Sequence, residues 1–99
     1  MTLENIRKEI DALDEQILAL LDQRMFLVEK VIAAKAQENL QVLDAAREKF
    51  ILEKIENKIK NPQHTASIQS IYKEIMKQSR DYQEKNGLKN KPPKNGNKK

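Results

Sequence analysis

Residues 3–36 read LENIRKEIDALDEQILALLDQRMFLVEKVIAAKA, a stretch without glycine or proline. Apolar side chains recur through it in alternating steps of three and four residues, which is typical of a long helix with one apolar stripe. We call this stripe the seam. An arginine occupies one of its positions, and a cation in an apolar stripe is costly unless an anion meets it. The seam consists of Leu3, Ile6, Ile10, Leu13, Ile17, Leu20, Arg24, Leu27, Val31 and Ala34.

The composition is that of one small domain. A chain of 99 residues is near the common size of a single fold. The absence of cysteine excludes disulfides and thiolate metal sites. The first residues lack the basic segment and apolar run of a secretory signal, and no apolar run reaches the length of a membrane span. We therefore expect a soluble, cytoplasmic protein that does not bind membranes.

The net charge of +4 comes from the C-terminal tail. Without the five lysines of that tail, 14 basic residues stand against 15 acidic ones. The sequence predicts a folded domain over residues 1–86 and a disordered, solubilising basic tail over residues 87–99, with a weak polyanion contact of the tail as the alternative. A nearly neutral body disfavours nucleic-acid binding. The tail lysines are Lys89, Lys91, Lys94, Lys98 and Lys99.

Capping signals divide the chain into helices. The first helix is predicted from Thr2 as N-cap to about Gln37, a length of roughly 50 Å. Asp44 is the predicted N-cap of a second helix that stops before Pro62. A third helix, capped by Thr65 or Ser67, is predicted to end near residues 86–87. Its predicted inward stripe is Ile68, Ile71, Tyr72 and Ile75.

Three helices of unequal length predict a dimer. The second and third helices, roughly 25 and 30 Å long, are too short to cover a 50 Å seam. An uncovered apolar strip usually marks an interface, and a second copy related by a two-fold axis is the simplest cover. The prediction is an all-α homodimer with one long and two shorter helices in each chain.

Cations on the first helix point to a ligand. Arg24 and Lys35 are eleven residues apart, so they share a face at about 16 Å along the axis. Arg7 lies roughly 26 Å from Arg24 and about 100° around the helix, too far to reach the same small ligand. In an antiparallel dimer, Arg7 of one chain would lie near the site of the other.

The second and third helices also carry inward polar residues. Glu48 continues an apolar face, and Arg47 lies beside it on a first turn with unpaired N–H groups. Each polar residue also has an ordinary structural explanation. Arg24 and Glu48 could form a register-setting ion pair, and Asp44 could serve only as a helix cap. Ser79 and Gln83 could belong to a solvated helix end. Together they predict a cationic pocket for a small polyanion. The inward set is Arg24, Lys35, Glu48, Ser79 and Gln83.

The sequence offers no reactive machinery of the usual kinds. It has no glycine-rich phosphate loop, no nucleophile–base pair and no carboxylate pair suited to acid–base work. His64 stands alone, so we expect no metal site. The pocket suits binding, or a reaction that needs only positioning and electrostatic stabilisation.

These residues resemble a known family. The segment Leu3–Asp14, followed by Leu20-Leu21-Asp22-Gln23-Arg24, is similar to the opening of the all-helical (AroQ-class) chorismate mutases. Lys35, the Asp44-x-x-Arg47-Glu48 element and Ser79-x-x-x-Gln83 resemble the functional positions of that family. The resemblance covers about residues 3–84. One departure is Ala45, where many members have proline.

The resemblance implies an intertwined homodimer that rearranges chorismate to prephenate without a cofactor, at the branch toward phenylalanine and tyrosine. Each of its two sites would be completed by the partner's first helix. Arg24 and the partner's Arg7 would hold the two substrate carboxylates. Arg47 and Ser79 would assist around the ring carboxylate.

The resemblance also implies roles at the reacting centre. Glu48, with the backbone of Asp44, would take the ring hydroxyl. Lys35 and Gln83 would donate to the ether oxygen, where negative charge grows as the C–O bond breaks.

Two other readings of the same pocket remain. A lyase of the same fold eliminates pyruvate from isochorismate, although Arg47, Glu48 and Ser79 favour the mutase. A non-catalytic helical dimer could instead bind chorismate or prephenate for regulation.

Overall fold

The computed structural model describes residues 1–87, and in this range it contains three α-helices and no strand. Helix α1 spans Leu3–Gln37, α2 spans Ala45–Lys58 and α3 spans Pro62–Lys85. The predicted all-α class with three helices is confirmed. The disordered tail was predicted for residues 87–99, and all of it beyond residue 87 lies outside the described residues.

Helix α1 begins and ends as the sequence predicts. The Thr2 hydroxyl accepts a hydrogen bond from the Asn5 backbone N–H at 3.1 Å, which caps the first turn. The helix then continues for 35 residues, or about 52 Å. Its end is followed by Asn39 at φ 60°, a left-handed conformation that asparagine tolerates better than most residues. The chain reverses there and leads into α2.

Helix α2 is capped by Asp44, as predicted. Its carboxylate accepts a hydrogen bond from the Arg47 backbone N–H at 3.0 Å. This cap fixes the first turn of α2, so that Arg47 and Glu48 occupy defined positions at the N-terminal end of the helix.

The predicted start of α3 was wrong. The helix begins at Pro62, and its N-cap is Asn61, whose side-chain oxygen accepts from the Gln63 N–H at 2.9 Å. Proline fits the first helical position because that residue has no intrahelical partner for an N–H. Thr65 and Ser67 therefore lie inside the helix, which reaches 24 residues or about 36 Å.

Helix α3 packs against both other helices. Gln69 Nε2 donates to the Leu52 carbonyl of α2 at 2.9 Å, and the Tyr82 hydroxyl donates to Glu29 of α1 at 2.8 Å. The hydrogen bond to Glu29 raises the pKa of Tyr82, because it stabilises the protonated phenol. The buried apolar side chains are Val28, Val42, Ile55 and Met76.

The inward stripe of α3 differs from the prediction at Ile71, which is 59% exposed. The buried residues of α3 are Met76, Ser79 and Gln83, and one turn before Met76 lies Tyr72. Ile71 is five residues before Met76, which places it about 140° around the helix, so its side chain points away from that stripe. Ile71 therefore faces outward.

The chain is elongated because α1 extends beyond the other two helices. Its dimensions are 61 × 24 × 19 Å, with a radius of gyration of 17.5 Å. A compact domain of 100 residues would have a radius near 13 Å. Leu3, Leu13 and Leu20 of the seam are 61%, 57% and 62% exposed. Within residues 1–87, no helix is long and apolar enough to cross a membrane.

Candidate active site

A cleft of about 380 Å³ lies between the three helices and the segment that joins α1 to α2. Its size falls within the roughly 300–1,000 Å³ of typical small-ligand sites. The seven site residues predicted from one chain all line it, with one further polar residue, Arg80. The polar lining consists of Arg24, Lys35, Asp44, Arg47, Glu48, Ser79, Arg80 and Gln83.

Lys35 is held from two sides. Its ammonium donates to the Val42 carbonyl at 2.5 Å and to Gln83 Oε1 at 3.1 Å. An ammonium has three N–H donors, so a third remains for a ligand in the cleft. Burial lowers the pKa of Lys35 from its usual value, while the negative charges of Asp44 and Glu48 partly oppose that shift.

Ser79 and Gln83 are buried, at 8% and 4% exposure, so they are not a solvated helix end. Gln83 Nε2 donates to Ser79 Oγ at 3.2 Å, while its Oε1 accepts from Lys35. The amide is therefore fixed at both ends. An amide nitrogen carries two N–H donors, and the second is available to a ligand.

Arg24 and Arg47 bring two more cations to the cleft. Arg24 is half-buried on α1, at the seam position where an aliphatic residue would be ordinary. The Arg47 guanidinium lies 5.9 Å from the centre of the Phe50 ring, a distance suited to a cation–π contact. Guanidinium groups match carboxylates well, because their fork of donors fits two oxygens.

Glu48 is paired with a residue that the sequence analysis missed. Arg80 Nη1 lies 2.5 and 2.6 Å from the two carboxylate oxygens of Glu48. The ion pair suggested from the sequence, between Arg24 and Glu48, is replaced by this contact from α3. A sequence signal was available: Arg80 is four residues after Met76 and three before Gln83, on the buried face of α3.

The cleft has an excess of positive charge. Four cationic side chains and two carboxylates line it. In the partly buried space between helices, this excess is less screened than at an exposed surface. The arrangement can bind a small anion and stabilise negative charge that develops on it, without supplying a nucleophile.

Arg7 is the predicted site residue that the cleft of one chain does not include. It is exposed on α1, seventeen residues or about 26 Å before Arg24. Its contribution through a partner stays a prediction. His64 contacts Asn61 instead of the cleft, and residues 1–87 contain no group of three or more His, Cys, Asp or Glu suited to a metal ion.

The family model for chorismate mutase type II matches residues 6–84. The chain belongs to the chorismate mutase type II family. The match covers nearly all of the three helices and every polar residue of the cleft. The resemblance inferred from the sequence is thereby confirmed.

Individual members of the chorismate mutase family are also similar to the chain. A bifunctional chorismate mutase/prephenate dehydratase of Aquifex aeolicus is 43% identical over 53 residues, which are 54% of this chain and 15% of that protein. A chorismate mutase of Methanocaldococcus jannaschii is 40% identical over 53 residues, 54% of each chain. The similarity therefore spans a small part of the first relative and about half of the second.

Proposed function

We propose that this chain is a chorismate mutase, which rearranges chorismate to prephenate without a cofactor in phenylalanine and tyrosine biosynthesis. The observation that carries the proposal is the convergence of Lys35 and the Gln83 amide in a cationic cleft that offers donors but no nucleophile. A pericyclic rearrangement needs no protein nucleophile, because one bond breaks and one forms within the substrate. Family membership and the names of both relatives support the same activity.

The charges of the cleft fit a substrate with two carboxylates. In the proposed complex, Arg24 and the partner's Arg7 hold the two substrate carboxylates. Arg47 and Ser79 bind around the ring carboxylate, and Arg47 lies on the first turn of α2, where backbone N–H groups also favour an anion. Holding both carboxylates selects the compact substrate conformer in which the reacting carbons are close.

Lys35 and Gln83 are the proposed donors to the ether oxygen. Negative charge grows on this oxygen as its bond to the ring breaks, so a donor bonds more strongly in the transition state than in the substrate. Both side chains are fixed before a ligand arrives, because Lys35 also bonds to Val42 and Gln83 to Ser79. Glu48 accepts a hydrogen bond from the ring hydroxyl, which the backbone of Asp44 also contacts, and so orients the ring.

The proposed active form is an intertwined homodimer. The seam of α1 is exposed over its whole N-terminal half, and a second copy would bury it. Pairing two copies of α1 in opposite directions would bring the partner's Arg7 toward Arg24. We place the catalytic domain in residues 1–86, because all cleft residues lie there.

The purified chain incubated separately with chorismate and isochorismate tests the proposal. We expect loss of chorismate absorbance with prephenate as the product, and little pyruvate from isochorismate. A Lys35→Ala/Gln83→Ala variant, prepared in the same way, controls for a contaminating host enzyme. Pyruvate release from isochorismate as the main reaction would indicate the lyase. Binding of chorismate without conversion would indicate a non-catalytic regulatory protein.

A further inference from the structure

Glu48 presents an electrostatic difficulty for a site that accepts a dianion. Its carboxylate lines the same cleft as the cations that are proposed to bind the substrate. A negative side chain beside a substrate with two negative charges repels it, and partial burial weakens solvent screening of that repulsion. The cleft therefore has to keep the carboxylate oxygens of Glu48 as hydroxyl acceptors while the negative charge of Glu48 is compensated.

Arg80 meets that need through its position. Its Nη1 contacts both oxygens of Glu48, at 2.5 and 2.6 Å. The side chains of Arg80 and Glu48 are only 28% and 23% exposed, so the two charges compensate each other more strongly than an ion pair in open solvent would. Lys77 and Asp81, on the same helix, form such an open pair at 2.9 Å, with side-chain exposures of 55% and 51%.

We propose that Arg80 is a positioning residue, which neutralises and orients Glu48 so that a carboxylate can accept the substrate hydroxyl beside two substrate carboxylates. The inference rests on the proposed function. A carboxylate has about four lone-pair sites, two on each oxygen. A single nitrogen of Arg80 bonds to both oxygens, so lone pairs remain on each for a hydroxyl. Arg80 thus cancels the charge of Glu48 without removing its capacity to accept.

Four variants form the test: Arg80→Met, Arg80→Lys, Glu48→Gln and the Arg80→Met/Glu48→Gln double variant. Loss of a charge-assisted contact at a partly exposed site predicts that Arg80→Met raises the KM for chorismate about tenfold, with a smaller fall in kcat. Arg80→Lys keeps the charge and is expected to retain most of the affinity. In the Glu48→Gln background, which has no negative charge to neutralise, Arg80→Met is expected to change KM less than about twofold.

Lys77→Met is the matched control, because it removes a cation and an ion pair from α3 outside the cleft. We expect its KM to equal that of the parent chain. Thermal unfolding and oligomeric state, measured for every variant, identify any loss of affinity that comes from misfolding.

Three results would overturn the role of Arg80 in a parent chain that is active. An equal rise in KM in both backgrounds would show that Arg80 acts without Glu48. An unchanged KM in Arg80→Met would show that neutralisation is unnecessary. A lowered KM would show that Arg80 competes with the substrate for Glu48.

An inactive parent chain would contradict the proposed function separately. The same four variants would then be compared by the dissociation constant of chorismate in calorimetry, with the same expected pattern. Absence of chorismate binding to the parent chain would overturn both proposals.

Discussion

Lys35 Nζ lies 3.1 Å from Gln83 Oε1, a contact that joins α1 to α3 across the cleft. The same ammonium donates to the carbonyl of Val42, whose side chain is only 1% exposed. The two residues proposed to act on the ether oxygen therefore hold each other in place, and a buried anchor fixes Lys35. Donors fixed in advance need little rearrangement during the reaction, which is the basis of electrostatic catalysis.

Lys35→Ala is expected to lower kcat for chorismate on the order of a hundredfold or more, because it removes a donor that bonds most strongly in the transition state. The dimer is expected to survive, since Lys35 lines the cleft and lies outside the seam. Steady-state kinetics and size-exclusion chromatography measure the two effects.

Lys85→Ala is the control for Lys35→Ala. Lys85 lies in the last turn of α3, as Lys35 lies in the last turn of α1, but it is exposed and outside the cleft. An unchanged kcat in Lys35→Ala would contradict the role assigned to this lysine.

The lowered pKa of Lys35 predicts an early loss of activity at alkaline pH. Only the ammonium carries the positive charge that is proposed to stabilise the ether oxygen, so kcat/KM is expected to fall as the pH rises through a Lys35 pKa below the usual 10.5. Lys35→Arg keeps its charge in this range, so its profile should lack that alkaline limb. An identical limb in both proteins would assign it to another group.

The lowered pKa of Lys35 also makes the stability of the fold depend on pH, and stability changes with pH in the direction opposite to activity. The folded chain loses the Lys35 proton at a lower pH than the unfolded chain, because burial penalises the charge. Below the folded pKa this penalty is fully present, and it disappears as the pH rises through the folded pKa toward 10.5. Lys35→Met removes the penalty, so the stability of the parent relative to this variant should increase across that window. Urea unfolding at several pH values measures the difference.

Gln83→Glu is expected to be active only at acidic pH. A neutral carboxyl can donate to the ether oxygen, whereas a carboxylate repels it and pairs with the ammonium of Lys35. The measurement is kcat/KM between about pH 4 and 8, a range that begins near the usual glutamate pKa of about 4.3.

Gln78→Glu is the matched control, since Gln78 lies on α3 and bonds to Glu74 at 2.7 Å, away from the cleft. Its pH profile should follow that of the parent chain. A flat profile for Gln83→Glu would argue against a contact between Gln83 and the ether oxygen.

Local signals in the sequence were sufficient for most of the fold. Thr2 and Asp44 are side chains that cap by bonding to residues three positions later, and both caps occur as predicted. The start of α3 was harder, because Pro62 both ends one helix and favours the first position of the next. Asparagine, threonine and serine all cap helices, so residue type alone did not select Asn61.

The candidate site was predictable wherever periodicity alone decides which way a side chain faces. Ser79 and Gln83 follow the buried face of α3, and Arg24 follows the seam of α1. The spacing of Arg80 from Met76 and Gln83 was a signal for its position, but its pairing with Glu48 was not predictable, because Glu48 is 32 residues away on another helix. Their contact depends on how α2 and α3 pack, which no local spacing specifies. Ile71 was misassigned because its spacing to Ile68 and Ile75 fits the stripe, although it lies about 140° around the helix from Met76, at the edge of the buried face.

The exposed seam predicts that a charge within it prevents dimer formation. Ile17 is 49% exposed in the single chain, and Ile17→Glu would bury a carboxylate in the proposed interface. We expect a monomer without mutase activity, measured by analytical ultracentrifugation and chorismate conversion. Glu15→Lys changes a charge on the opposite face of α1 and is the control. An active monomer of Ile17→Glu would show that one chain suffices.

Arg7 and Arg24 distinguish a site shared between chains from a site built within one chain. Arg7→Ala and Arg24→Ala chains, co-expressed with different affinity tags, give a heterodimer that can be purified through both tags. In a two-fold dimer with shared sites, this heterodimer has one intact site and one that lacks both arginines. We predict that it converts chorismate at about half the rate of the parent dimer, although each variant alone is nearly inactive. A heterodimer no more active than its two parent variants would contradict the shared site.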